Sequence, residues 1–103
     1  KIFAVLITTS SEEAARGLAH GLVSNSFAAC VNIVPQIRSV YKWQGEIQED
    51  SEVLLIAKTT EDKLLGLTEF VKANHTYEVP EVIALEVHSG LPAYLNFVRE
   101  TLT

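Results

Sequence analysis

The chain is poor in most of the residues that mark a special class of protein. Among its 103 residues are one cysteine (Cys30), no methionine, three prolines and five glycines. A single cysteine cannot close an internal disulfide, which excludes a disulfide-stapled secreted fold and suits a reducing compartment. A cytoplasmic location is therefore expected. Positive charge is scarce as well. Eight Lys and Arg stand against 13 Asp and Glu, giving a net charge of −5 with no basic stripe. Nucleic-acid binding, which relies on Lys and Arg at phosphates, is not expected, and neither is an anionic membrane surface. The acidic balance permits cations as partners. Unbroken apolar runs such as Val53–Ala57 are far too short to span a bilayer, so no direct membrane insertion is expected. Gly-rich phosphate loops, HExxH patterns, repeats, linkers and low-complexity segments are all missing. No signal peptide is read, and a chain that starts at Lys1 rather than Met leaves room for an upstream targeting segment.

What the chain has in quantity is apolar surface, since 48% of its residues are hydrophobic. The length fits one domain, residues 1–103, with enough chain for a single core. Apolar residues in this proportion exceed the needs of a small monomer and point to subunit association. Residues 2–8 read as a strand buried on both faces. Ser10-Ser11-Glu12-Glu13 matches a capping box with Ser10 as N-cap, and apolar residues at 14, 15, 18, 19, 22 and 23 follow at helical spacing. Residues 28–43 are extended, with Val31, Ile33, Ile37, Tyr41 and Trp43 on one parity and a bulge expected at Pro35. Gln44-Gly45 makes a tight turn into a return strand, residues 46–59, that is acidic first and apolar later. Thr60-Glu61-Asp62 starts a second helix, Val82–Val87 is a strand, and Pro92 opens a third helix at its first position. The order is β-α-β-β-α-β-α. The fold class is α+β, a ferredoxin-like split βαβ with a C-terminal helix and a long extended β-hairpin.

Two segments carry the candidate chemistry. His75-Thr76-Tyr77-Glu78-Val79-Pro80-Glu81 packs an imidazole, a phenol and two carboxylates between a helix and a strand. His75 suits Cu(II), Zn or Ni, and Glu78 and Glu81 could add oxygen ligands. His75 equally fits a histidine at a helix C-terminus that meets the last carbonyls. Cys30 is either a soft ligand or a small hydrophobe packed in its strand. One Cys and one His do not complete a four-ligand site, so such a site needs carboxylates, water or another subunit. Tyr41, Trp43 and Tyr77 could line a cleft between subunits, where Lys58 would meet an anionic ligand; aromatics on alternating strand positions are also ordinary packing anchors. Nothing establishes a Cys-His nucleophile, which needs the pair in hydrogen-bond reach and a third orienting group. The chain is not expected to be an enzyme, and no organic cofactor is evident.

The ordered set Ala28-Ala29-Cys30-Val31-Asn32, Ser39-Val40-Tyr41-Lys42-Trp43-Gln44-Gly45-Glu46-Ile47, Glu49-Asp50-Ser51-Glu52-Val53-Leu54, Lys58-Thr59, His75 to Glu81 and Tyr94-Leu95-Asn96 resembles the CutA divalent-cation tolerance proteins over nearly the whole chain. The resemblance implies a ferredoxin-like subunit and a compact homotrimer in which long hairpins reach across to neighbours. It implies tolerance to divalent cations, mainly copper, and copper binding; together with the 75–81 cluster, weak to moderate copper binding is expected at His75 and Glu78, with Cys30 as a soft contributor. The family is also implicated in assembling a membrane-bound cholinesterase in animals, and its trimeric shape is similar to that of the PII signalling proteins. Two further expectations follow: a PII-like sensor with ligand clefts between subunits, or a non-catalytic scaffold with an unidentified protein partner. Many relatives carry Pro where Thr76 stands. Some bacterial members carry a second cysteine and a second histidine where this chain has its Ile7-Thr8-Thr9 region and Asn74.

Overall fold

Alternation between apolar side chains and backbone pairing sets the sheet. The computed structural model describes all 103 residues. Its elements run β1 (Ile2–Thr9), α1 (Glu12–Ser24), β2 (Cys30–Trp43), β3 (Glu46–Thr60), a 3-10 turn (Glu61–Lys63), α2 (Leu64–Asn74), β4 (Val82–Glu86) and α3 (Pro92–Thr101). The four strands pair antiparallel in the order β2-β3-β1-β4, the split βαβ arrangement expected from the sequence. One sheet face packs α1 and α2 through Val5, Ile7, Leu55, Ala57, Leu18, Leu22, Leu67 and Val71. At one end of the opposite face, α3 buries Val98 and Leu102 against Ile2 and Ala29.

Three local expectations need correction. The N-cap of α1 is Ser11, not Ser10: its backbone is extended, and its hydroxyl accepts from the Ala14 N–H at 3.1 Å. Thr9 stays in β1 and donates its hydroxyl to the Ser11 carbonyl at 3.0 Å, which moves the helix start on by one residue and leaves no Glu at the third helical position. The acids Glu61 and Asp62 form a 3-10 turn ahead of α2 instead of its first turn. Most consequential is the bulge. Val34 pairs with Leu54 but Ile37 pairs with Glu52, so Pro35 and Gln36 together stand opposite Val53. Side chains in a strand alternate faces, so one extra residue inverts the parity beyond it. Val31 and Ile33 face the helices, whereas Ile37, Tyr41 and Trp43 face the other way, beside Glu52 and Asp50.

The hairpin closes at Gln44 (φ 50°) and Gly45 (φ 81°), both in the left-handed region that a tight two-residue turn requires. It projects outward, and the molecule measures 44 × 25 × 22 Å. Only 20 of the 103 residues are buried, so a chain that is 48% hydrophobic leaves much of its apolar surface open. Val40, Ile47, Ile83, Leu85, Leu91 and Phe97 are all exposed.

Leu55 has no exposure; Leu55→Ala is expected to cost ~2–5 kcal/mol in denaturant unfolding. Gln36 sits at φ 59° on the bulge; Gln36→Gly is expected to leave stability unchanged or to raise it by up to ~1 kcal/mol. A clear loss on Gln36→Gly would show that the side chain, not the backbone geometry, sustains the bulge.

Candidate functional site

The 75–81 loop is tied to the sheet by the imidazole of His75. That residue ends α2 with an extended backbone (φ −96°, ψ 150°), so its ring turns back over the end of β1. Nδ1 accepts the Tyr77 backbone N–H at 3.0 Å, and Nε2 lies 2.7 Å from the Thr8 carbonyl. Since Nδ1 accepts, the proton resides on Nε2 and is donated to Thr8. Both ring nitrogens are therefore engaged. The partners are Thr8 and Tyr77, not the last carbonyls of the helix.

This anchoring places the Tyr77 ring 4.6 Å from the His75 ring and its hydroxyl 2.6 Å from Glu52 Oε2. Glu52 is 9% exposed. Tyr77 donates to that carboxylate, and burial first, then the bond to Glu52, push its phenol pKa well above the ordinary value. Nearby, Tyr41 donates to Asp50 Oδ2 at 2.5 Å, which raises its phenol pKa too. Beside these groups opens a cavity of about 590 Å3 whose walls include Tyr41, Trp43, Tyr77, Glu52, Glu78 and Glu81.

The expected site residues separate into two places. Tyr41, Trp43, Tyr77 and Glu78 line the cavity, and Lys58 does not. Lys58 pairs in register with Cys30 on one side and Ala4 on the other, and its ammonium donates to Asn32 Oδ1. Ala4 lies four residues from Thr8 along β1, a distance of ~13 Å at the strand repeat. The lysine is thus absent from this cavity, whose charged walls within one chain are Glu52, Glu78 and Glu81. By the same register, Cys30 is remote from His75. Its thiol meets the Tyr94 hydroxyl, whose pKa is raised by burial and then by that contact. No three His, Cys, Asp or Glu side chains of the chain stand together in a way that could hold a metal ion. His75, Glu78 and Cys30 therefore form no common centre within one chain.

The residue that the sequence did not single out is Glu52, which holds the Tyr77 hydroxyl. Its signal was position: it is the last acid of the return strand before the apolar stretch from Val53 to Ala57, and such an acid must either face outward or find a partner.

Comparisons with known proteins agree on the family. The family model described as CutA1 divalent ion tolerance protein matches residues 3–101. The divalent-cation tolerance protein CutA of Thermus thermophilus is 53% identical over 96 residues, covering 93% of each chain. Mouse protein CutA is 48% identical over 99 residues, which are 96% of this chain and 56% of the mouse protein. A chloroplastic CutA 1 of rice is 52% identical, covering 94% of this chain and 55% of that one. The chain thus spans little more than half the length of these animal and plant relatives. Among solved structures, the Thermus thermophilus divalent cation tolerance protein superposes with a TM-score of 0.97 at 50% identity over the whole of both chains. The periplasmic divalent cation tolerance protein CutA of Archaeoglobus fulgidus gives 0.96 at 35% identity, again over the whole of both chains.

Removing the His75 ring orphans the Thr8 carbonyl and the Tyr77 N–H, so His75→Ala is expected to lower stability by ~1–3 kcal/mol in denaturant unfolding. The Tyr77 phenol generates a second expectation, at high pH. Its folded pKa lies above the unfolded value of about 10, so its contribution is complete below that pH and fades as the pH rises through the folded pKa. Above the unfolded pKa the native state holds more protons than the unfolded one, and stability falls with pH. Unfolding measured across the alkaline range is expected to show this decline, and Tyr77→Phe is expected to flatten it. An undiminished slope in that variant would refute the Tyr77–Glu52 bond.

Proposed function

Because this chain belongs to the CutA1 divalent ion tolerance family, we propose that it works as a non-catalytic homotrimer in the response to divalent metal ions. The observation that carries the trimer is the sheet face turned away from α1 and α2. Ile83 and Leu85 of β4 are 49% and 51% exposed there, and Tyr94 and Phe97 of α3 add a further apolar area. The outer strands β2 and β4 also leave unpaired edges, which natural proteins cover or pair. A copy of the same chain satisfies both needs, and the protruding hairpin has the reach to clasp it.

Copper binding on this reading is weak to moderate. His75 can offer a nitrogen only by giving up one of its two hydrogen bonds, and Glu78 is the carboxylate closest to it in the sequence. Water or a second copy must complete the coordination, because one chain assembles too few ligands. Cys30, remote from His75, would act as a separate soft contact. No helix is long and apolar enough to cross a membrane. The free cysteine favours a reducing compartment such as the cytoplasm, although relatives named chloroplastic and periplasmic exist.

Light scattering is expected to give three times the 11.3 kDa chain mass, and Leu85→Glu to reduce it. A monomer at micromolar concentration would sink the trimer. Calorimetric titration with Cu(II), with Zn(II) alongside, is expected to show saturable Cu(II) binding that Glu78→Gln weakens and His75→Ala abolishes. Non-saturating heats that are identical in all three proteins would mean that surface carboxylates merely collect ions.

A further inference from the structure

Lys58 is a lone cation on the open face of the sheet. By register it shares a cross-strand row with Cys30, Ala4 and Leu85, and the next row holds Ile56, Leu6 and Ile83. The other basic residues of the strands, Arg38 and Lys42, are turned to the helix side by the alternation beyond the bulge. The ammonium of Lys58 donates to the side-chain oxygen of Asn32. It meets no carboxylate of its own chain, since the two ion pairs present are Lys1 with Glu86 and Arg38 with Glu49.

In a single chain Lys58 is half-buried, and water still reaches its charge. A copy that covers Ile83 and Leu85 covers this row as well and takes the ammonium out of water. One neutral amide oxygen does not offset that loss of hydration; a carboxylate carried in by the covering surface does. Glu81 is such a carboxylate. It directly precedes β4 and has the parity of Ile83 and Leu85, which puts it on the same open face. It is exposed and belongs to neither ion pair.

The two charges cannot meet within one chain. Glu81 lies four residues along β4 from the Lys58 row, ~13 Å, and β4 is two strands away from β3, ~10 Å. A cyclic trimer requires such a separation, because its contacts run head to tail. Each copy shows one patch to the neighbour ahead and a different, complementary patch to the neighbour behind. Here one patch is apolar around an ammonium without an acid, and the other holds a carboxylate without a base at the edge of the aromatic cavity.

We propose that the interface between copies is closed by an ion pair in trans, Lys58 of one copy with Glu81 of the partner subunit, repeated around the ring. This inference rests on the trimer and names the contact that orients one copy on the next. Neither His75 nor copper takes part in it.

The test uses the full chain, with light scattering at micromolar concentration and the concentration dependence of the thermal midpoint as readouts of association. Lys58→Glu and Glu81→Lys each bring like charges together and are expected to lower the mass. The double variant Lys58→Glu/Glu81→Lys is expected to regain it. Neutral substitutions guard against misfolding of the reversed variants. Lys58→Met and Glu81→Gln are each expected to weaken association by ~10-fold or more, and the two losses are expected not to add when combined. With a native trimer, the pair alone is overturned if the single reversals keep the native mass, if a folded double variant stays dissociated, or if the neutral losses add in full. A monomeric native chain overturns the trimer and the pair together.

Discussion

The missing N–H of Pro35 governs the outer half of this molecule. A proline inside a paired strand cannot donate to the ladder, so the chain accommodates it where pairing already lapses. Here Pro35 and Gln36 share one partner, Val53, and Gln36 takes the left-handed backbone that closes the irregularity. Before the bulge, β2 contributes Val31 and Ile33 to the core beneath α1 and α2. After it, the same alternation sends Tyr41 and Trp43 to the opposite face, in line with the acids of β3. Without the extra residue, those aromatics would point to the helix side of a hairpin that has extended beyond the helices. The cavity, the phenol–carboxylate pairs and the apolar tip of the hairpin all follow from one unpaired residue.

A second constraint acts from the other side of that cavity. The loop from Thr76 to Glu81 has few apolar side chains with which to hold itself, and backbone groups over a sheet need partners. His75 supplies two at once, accepting from Tyr77 and donating to Thr8. The ring therefore fixes where the Tyr77 hydroxyl lies, and that hydroxyl meets Glu52 from β3. Imidazole and bulge approach Glu52 from different elements, and the carboxylate is buried only because both are in place. The same commitment limits the imidazole as a metal ligand: a metal must compete with two hydrogen bonds that anchor the loop.

Much of the fold was legible in the sequence because its signals are local. Pro92 does begin α3, Gln44-Gly45 does close the hairpin, and the helical spacing from Ala14 to Leu22 does form the inner face of α1. The errors came where a local signal met a longer-range one. Ser10 and Ser11 are equally good caps; the pairing of Thr9 with Val53 keeps β1 going and passes the role to Ser11. Pro35 signals the bulge, but the change of face beyond it depends on strand pairing, so the five residues that share one parity in the sequence divide between two faces in the structure. For the site, the clustering of aromatics was readable, whereas the company they keep was not. Lys58 and Cys30 sit near His75 in no sense that sequence order could reveal or exclude, because only strand register sets their level on the sheet.

Register also explains why the acids and the apolar residues of the open face do not conflict. Toward β4 and α3, that face carries Ile83, Leu85, Tyr94 and Phe97, with Lys58 in the same cross-strand row as Leu85. Toward the hairpin it carries Glu52, Asp50 and the phenols that donate to them. An apolar area beside an acidic, aromatic one divides the labour of a surface: the first gains free energy by being covered, while the second resists being covered by anything that lacks positive charge. A second copy of an acidic chain thus fits the first area better than the second.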